Sequence, residues 1–186
     1  MLVYLHGFNS SPASHKANLL RERMLSLGRG GEYFCPKLSH WPQEAVTQLE
    51  TIMHAHDRIT LIGSSLGGYY ATYLAEKSGC KAVLVNPAVN PYGTLDKLIG
   101  PQKNLYTGEE YVLTHDHFTQ LKALEVTAIS QPERYLLLAQ TGDEVLDYRE
   151  AVEQYHDARQ IVIQGGDHGF QNFDTYIDTI LSFSDF

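Results

Sequence analysis

Cysteine is nearly absent: the chain has two in 186 residues, Cys35 and Cys80, and neither belongs to a C-x-x-C pair. A disulfide framework is therefore excluded, and none is needed, because a chain of this length buries about 70% of its surface on folding. Both thiols read as small buried hydrophobes in a reducing compartment, and the cytoplasm is the expected location. No apolar run reaches the roughly 18–20 residues of a membrane span. The stretch from Met1 to Gly7 lacks a basic leader and is not expected to act as a signal peptide. Positive charge is also scarce, with fourteen Lys and Arg against twenty-two Asp and Glu and a net charge of −8. The basic residues are scattered, with no cluster beyond Arg21/Arg23, so a nucleic-acid partner is not expected. The nine histidines show no metal-ligand spacing, and neither a metal nor a cofactor is implied.

What the sequence does contain is an alternation of short apolar runs and helical patterns. Leu2–Leu5, Glu32–Cys35, Ile59–Ile62, Ala82–Val85, Tyr135–Leu138 and Gln160–Ile163 read as strands. Most are nearly continuous apolar segments, as in a parallel sheet covered on both faces. Between them, Ala17, Leu20, Met24 and Leu27 mark one helix face, opened by Ser11-Pro12 and stopped at Gly28. Pro42 opens a second helix bearing Ala45, Val46, Leu49, Ile52 and Met53, and a third follows Ser65. Ala151, Val152 and Tyr155 mark a fourth, and Phe173, Ile177, Ile180 and Leu181 the last. This pattern predicts a single α/β domain over 1–186 with right-handed crossovers.

One connection is too long for that rhythm. Between Asn86 and Glu133 the chain is rich in turn formers, with one helix expected from about His117 to Leu124. Long insertions in compact domains are usually lids or binding loops. Residues 87–132 are expected to form a cap, their many apolar groups (Tyr92, Leu95, Leu98, Ile99, Leu105, Tyr106, Tyr111, Val112, Leu113 and Phe118) dividing between the core and an acyl pocket.

The strongest chemical signal is Gly63-Ser64-Ser65-Leu66-Gly67, a G-x-S-x-G sequence between a strand and a helix. In that setting Ser65 sits on a tight strained turn that presents its hydroxyl, and glycines stand where side chains would collide. A nucleophile of this kind needs two N–H donors for the developing oxyanion. Leu66 supplies one, and Phe8, in Leu5-His6-Gly7-Phe8-Asn9-Ser10-Ser11 after the first strand, is the candidate for the second. His6 reads as structural. Among the other histidines, His168 in Gly165-Gly166-Asp167-His168-Gly169-Phe170 follows the last strand and lies at the same end of the sheet as Ser65. It is the expected base. His15, His40, His54, His56, His115, His117 and His156 suit solvated or capping positions.

Three carboxylates follow the fifth strand. Asp147, with Glu150 three residues on, reads as a capping box, and Glu144 has no assigned role. Asp143, in the turn itself, is the expected orienter of the base. The order Ser65…Asp143…His168 is that of α/β-hydrolases.

Four blocks carry a more specific likeness: Leu5–Pro12, Gly63–Thr72, Asn86-Pro87-Ala88-Val89 and Gln140–Arg149. With Tyr106-Thr107-Gly108 and Tyr111-Val112-Leu113, the chain resembles the small bacterial YqiA-type esterases from about residue 2 to residue 183. The Asp167-His168-Gly169 turn departs from that family's pattern, which has Asn before the His and Ala after it. The resemblance implies a compact α/β-hydrolase fold that starts on the His-Gly strand, with six strands in the order 2-1-3-4-5-6. The expected activity is hydrolysis of short to medium acyl esters by Ser65, His168 and Asp143, with a small-molecule acyl ester as partner. An acyl-CoA thioesterase and a non-catalytic binding protein on the same fold are the alternatives. The insertion carries Lys97, Lys103 and Lys122 against Asp96, Glu109, Glu110, Asp116 and Glu125, which favours an uncharged ester over CoA.

Overall fold

Six apolar segments pair side by side, in parallel, and every one lies where the sequence places a strand. In the computed structural model, which describes residues 1–104 and 106–186, they are β1 (Leu2–Leu5), β2 (Tyr33–Phe34), β3 (Thr60–Ser64), β4 (Lys81–Val85), β7 (Tyr135–Gln140) and β8 (Arg159–Ile163). Two further strands, β5 (Gly100–Lys103) and β6 (Glu110–Leu113), form a separate antiparallel hairpin. The main sheet has the order β2-β1-β3-β4-β7-β8. That is the expected 2-1-3-4-5-6 once the hairpin is left out of the count. The chain leaves β1 toward β2 on one side and returns to β3 on the other, so the loops after β1 and β3 meet at the switch point.

Side-chain alternation explains why the central strands read as unbroken apolar runs. Val3, Leu5, Leu61, Leu84, Leu137 and Ala139 point into one core layer, and Leu2, Tyr4, Ile62, Val83, Val85, Leu136 and Leu138 into the other. The first layer is covered by α2 (Pro42–His54), α3 (Leu66–Ser78) and α6 (Tyr148–Gln154), and the second by α1 (His15–Ser26) and α7 (Ile177–Phe183). With both faces buried, period-two polarity has no place to appear.

Helix α1 starts later than expected. Ser11 does not cap it; the Ser11 hydroxyl oxygen accepts the Ala13 N–H (3.0 Å) and its carbonyl accepts the Ser14 N–H (3.1 Å), making a turn ahead of the helix. Ser14 then holds the N-cap position, and Gly28, at φ 70°, ends the helix as expected.

The insertion is more ordered than its turn-rich sequence suggests. It contains α4 (Tyr92–Leu95), the β5–β6 hairpin and α5 (His115–Lys122). Its apolar residues divide, with Tyr92, Tyr111 and Phe118 partly buried against the core. Leu95, Leu113, Leu121 and Leu124 join the core layer of α2 and α3, while Leu98, Ile99, Tyr106 and Val112 stand exposed. Leu105 lies outside the described residues. No helix among the described residues is long and apolar enough to cross a membrane.

Candidate active site

The end of β3 places Ser65 on a turn that disfavours any residue with a Cβ. Its φ of 54° and ψ of −123° lie outside the ordinary allowed regions. Three backbone bonds hold it there. The Ser65 N–H donates to the Val85 carbonyl (3.1 Å), and the Ser65 carbonyl accepts from Gly68 (2.8 Å) and Ala88 (3.0 Å). A Cβ on Gly63 would strike the Gly67 backbone, and one on Gly67 would strike the Leu5 carbonyl. The second glycine therefore clears space against β1 rather than across the turn itself.

Two later loops bring their side chains to this point. His168 Nε2 lies 3.1 Å from Ser65 Oγ, and His168 Nδ1 lies 2.9 and 2.8 Å from the two Asp143 oxygens. An ionised carboxylate can only accept, so Nδ1 carries the hydrogen and Nε2 turns its lone pair to the Ser65 hydroxyl. Asp143 is almost wholly buried, its side chain 2% exposed against 23% for His168. Burial alone would raise the Asp143 carboxyl, but His168 and the N–H groups of Leu146 and Val145 together hold it below its ordinary value. Both N–H groups reach Oδ1 at 2.9 Å. The carboxylate thus stays charged and fixed at neutral pH.

Leu66 N–H opens α3, where the helix dipole adds positive potential. Phe8 N–H belongs to the loop after β1. Neither donates to a protein acceptor among the described residues. Gly7 lets that loop approach, since a Cβ there would sit 3.1 Å from Ser65 Cβ. Phe8 and Leu66 border one small cavity of about 40 Å³, together with Leu38, Tyr70, His40 and Tyr111.

The remaining sequence candidates separate cleanly. Asp147 caps α6 by accepting the Arg149 N–H (3.0 Å), but its reciprocal partner is the Arg149 guanidinium (2.6 Å) rather than Glu150. His6 is held in the structure at both nitrogens: Nε2 accepts the Leu38 N–H (3.2 Å) and Nδ1 donates to the Gly7 carbonyl (3.1 Å). His117 takes the capping role open to it, accepting the Thr114 N–H (3.1 Å) at the start of α5, whereas His40 is neither solvated nor a cap. They bond to each other at 3.1 Å, His40 stacks on Tyr111 and His117 on Trp41. Cys35 and Cys80 are free thiols, and burial pushes that of Cys35 up to about 12. No cluster of three or more His, Cys, Asp or Glu suited to a metal occurs among the described residues.

Four supporting residues were missed. Asn86 and Gln140 hold the His168 loop, and Glu144 accepts the His168 N–H (3.0 Å). Asn9 joins the Phe8 loop to the insertion. Glu144 is visible in the sequence as a carboxylate of the Asp143 turn and Gln140 as a polar residue ending an apolar strand, whereas Asn9 and Asn86 stand out only as members of the blocks that carry the family likeness.

A model of the uncharacterised protein family UPF0227 matches residues 1–185. A UPF0227 protein of Citrobacter koseri is 27% identical over 187 residues, covering 98% of each chain. Among solved structures, mouse alpha/beta hydrolase domain-containing protein 10 superposes with a TM-score of 0.74 at 18% identity, over 99% of this chain and 89% of that one. Est1E from Butyrivibrio proteoclasticus, solved with ferulic acid bound, gives 0.74 at 13% identity over 98% and 86%. The fold is that of the α/β-hydrolases.

Proposed function

The chain belongs to the UPF0227 family, and from that premise we propose that it is a serine hydrolase that cleaves carboxylic esters of small acyl groups. The observation that carries this reading is the unbroken chain of hydrogen bonds from Ser65 through His168 to Asp143, built on a strained serine. Strain at one non-glycine residue persists only when the surrounding structure over-determines it, and such residues gather at active sites.

The chemistry follows from the hydrogen positions. His168 Nε2 takes the Ser65 proton as the oxygen attacks the acyl carbon, and Asp143 stabilises the imidazolium that forms. Phe8 and Leu66 N–H groups receive the oxyanion, each such donor contributing about 3–4 kcal/mol to lowering the barrier. His168 then gives its proton to the leaving alcohol. In the second half it deprotonates a water, which releases the acid and restores Ser65. The chain's own groups and water carry every proton in this cycle.

Two observations support the substrate class. The cavity beside the oxyanion donors is small, about 40 Å³, and bordered by the apolar side chains of Leu38 and Tyr70, which suits a short acyl group. Within the insertion, Lys103 is paired with Glu110 (2.9 Å), and Lys97, Lys103 and Lys122 are outnumbered by Asp96, Glu109, Glu110, Asp116 and Glu125, a balance that disfavours the phosphates of CoA.

The test is labelling and turnover with two neighbouring serines. Wild-type protein should react with a fluorophosphonate at Ser65 and hydrolyse short p-nitrophenyl esters. Ser65→Ala should abolish labelling and lower kcat by about 10⁴–10⁶-fold, whereas Ser64→Ala should cost far less. Equal losses in the two variants would overturn the assignment.

A further inference from the structure

The loop that carries Phe8 is gripped from above by the insertion. Asn9, the next residue, adopts φ 50°, and both ends of its carboxamide are bonded. Its Oδ1 accepts the Tyr111 hydroxyl (2.8 Å), and its Nδ2 donates to Gln102 Oε1 (3.0 Å). Gln102 and Tyr111 face each other across the β5–β6 hairpin. One residue further on, Asn104 Nδ2 donates to the Ser10 carbonyl (2.8 Å). Three hairpin side chains therefore bind two consecutive residues of the loop.

The grip is itself braced. The Tyr111 ring stacks on His40 with centroids 4.1 Å apart, and His40 bonds to His117 of α5. Gln102 Nε2 donates to the Leu98 carbonyl (2.6 Å). Below, Gly7 packs against Ser65. The loop is thus fixed between the serine and the hairpin, with Phe8 N–H in the middle.

We propose that Tyr111 and Gln102 are positioning residues that, by clamping the Asn9 carboxamide, hold the Phe8 N–H at the angle the oxyanion requires. The insertion then acts on the transition state rather than as the wall of an acyl tunnel, and the proposal rests on Phe8 being an oxyanion donor. The Phe8 ring packs against the core layer of α2 and α3, but that contact anchors the side chain, and the direction of the N–H still follows the φ and ψ of the loop residues around it. Burial pushes the Tyr111 hydroxyl up to about 12, with Glu109 adding to the shift, so it remains a donor throughout the neutral range. Loss of the clamp leaves ester binding intact and weakens only what forms after attack.

The test compares Tyr111→Phe, which keeps the ring on His40, with Gln102→Ala and with Val112→Ala, an exposed residue on the same hairpin. Each is assayed for kcat and KM on a short ester, for affinity toward an alkyl boronic acid (which forms a tetrahedral adduct on the serine) and for unfolding midpoint. Tyr111→Phe and Gln102→Ala should lower kcat by roughly 10-fold and weaken boronate binding by a similar factor, with KM within about twofold. Val112→Ala should match the wild type. If KM alone changes, if neither variant weakens the boronate, or if Val112→Ala weakens it equally, the clamp is overturned. Should Tyr111→Phe fail to fold, Gln102→Ala decides. A wild type that neither binds boronate nor labels at Ser65 defeats the esterase reading itself, a result separate from failure of the clamp.

Discussion

Asn86 and Gln140, at the ends of neighbouring strands, are bonded to each other and hold the His168 loop between them. The Gln140 N–H donates to Asn86 Oδ1 at 2.9 Å. Asn86 Nδ2 donates to the carbonyls of Asp167 (2.9 Å) and His168 (3.3 Å). The Gln140 carboxamide accepts the N–H groups of Asp167 (3.1 Å) and Gln171 (2.9 Å) and donates to the Gln171 carbonyl (2.9 Å). Both residues are buried, so these bonds have no competition from water.

Asn86→Ala would leave the Gln140 N–H unpaired in the interior, while the Asp167 carbonyl would keep only the Phe170 N–H (3.0 Å). A buried polar group left unsatisfied costs about 1–3 kcal/mol, so the unfolding free energy should fall by an amount of that order. Small misplacements of a base cost up to about 10² in rate. Turnover should therefore fall by roughly 10–100-fold, and a variant with wild-type kcat would show that the His168 loop is held by other contacts.

Asp143 and Asp147 lie four positions apart and have different work. Asp143→Asn removes the charge that fixes the His168 tautomer, and kcat should fall by up to about 10⁴-fold with the melting temperature little changed. Asp147→Ala removes the α6 cap and its pairing with Arg149. It should lower the melting temperature while kcat stays within about twofold of wild type. The opposite pairing of effects in activity and melting assays would mean that the two roles are exchanged.

Acid should destabilise the fold before its carboxylates titrate. Burial lowers the basicity of His6 and His117, with the neighbouring His40 adding to the effect on His117 and Asp116 opposing it. Each neutral ring accepts a backbone N–H, from Leu38 and from Thr114 (3.1 Å). A histidine whose folded pKa is lowered binds its proton more readily in the unfolded chain, whose pKa is about 6.5. Stability is therefore full above about pH 6.5 and declines as pH falls below it. Urea denaturation at pH 7.5 and 5.5 should show the decline, and His117→Phe should flatten it; a pH-independent midpoint in the wild type would contradict this assignment.

Substrate size should be set by Leu38 rather than by the leucines of the insertion. Leu38 and Tyr70 share a core layer with Leu95, Leu113, Leu121 and Leu124, but of these six only Leu38 and Tyr70 also border the small cavity beside Phe8 and Leu66. Wild-type kcat/KM should drop steeply beyond the shortest acyl groups. Leu38→Ala should move the preference toward longer chains, by about 0.8 kcal/mol for each methylene accommodated. An unchanged chain-length profile on a graded ester series would place the acyl group elsewhere.

The sheet was legible because its information is local. Strands buried on both faces must be apolar throughout, and Leu2–Leu5 and Tyr135–Leu138 could be little else. The glycines at 63 and 67, with Ser65 between them, are readable as a five-residue pattern, although Gly67 is required by the approach of β1 rather than by the turn. The expected places of Asp143 and His168 also followed from strand ends alone, because loops after parallel strands emerge at one edge of the sheet. What the sequence could not determine were relationships between side chains far apart in the chain. Nothing near Asn9 announces that Tyr111 and Gln102 meet it, nor does His40 announce His117. The hairpin escaped for the same reason, since Gly100–Lys103 has no apolar alternation and becomes a strand only when Glu110–Leu113 pairs with it. Isolated polar side chains carry no periodicity; their roles arise from partners that only the tertiary structure brings within 3 Å, where burial turns each bond from optional to required.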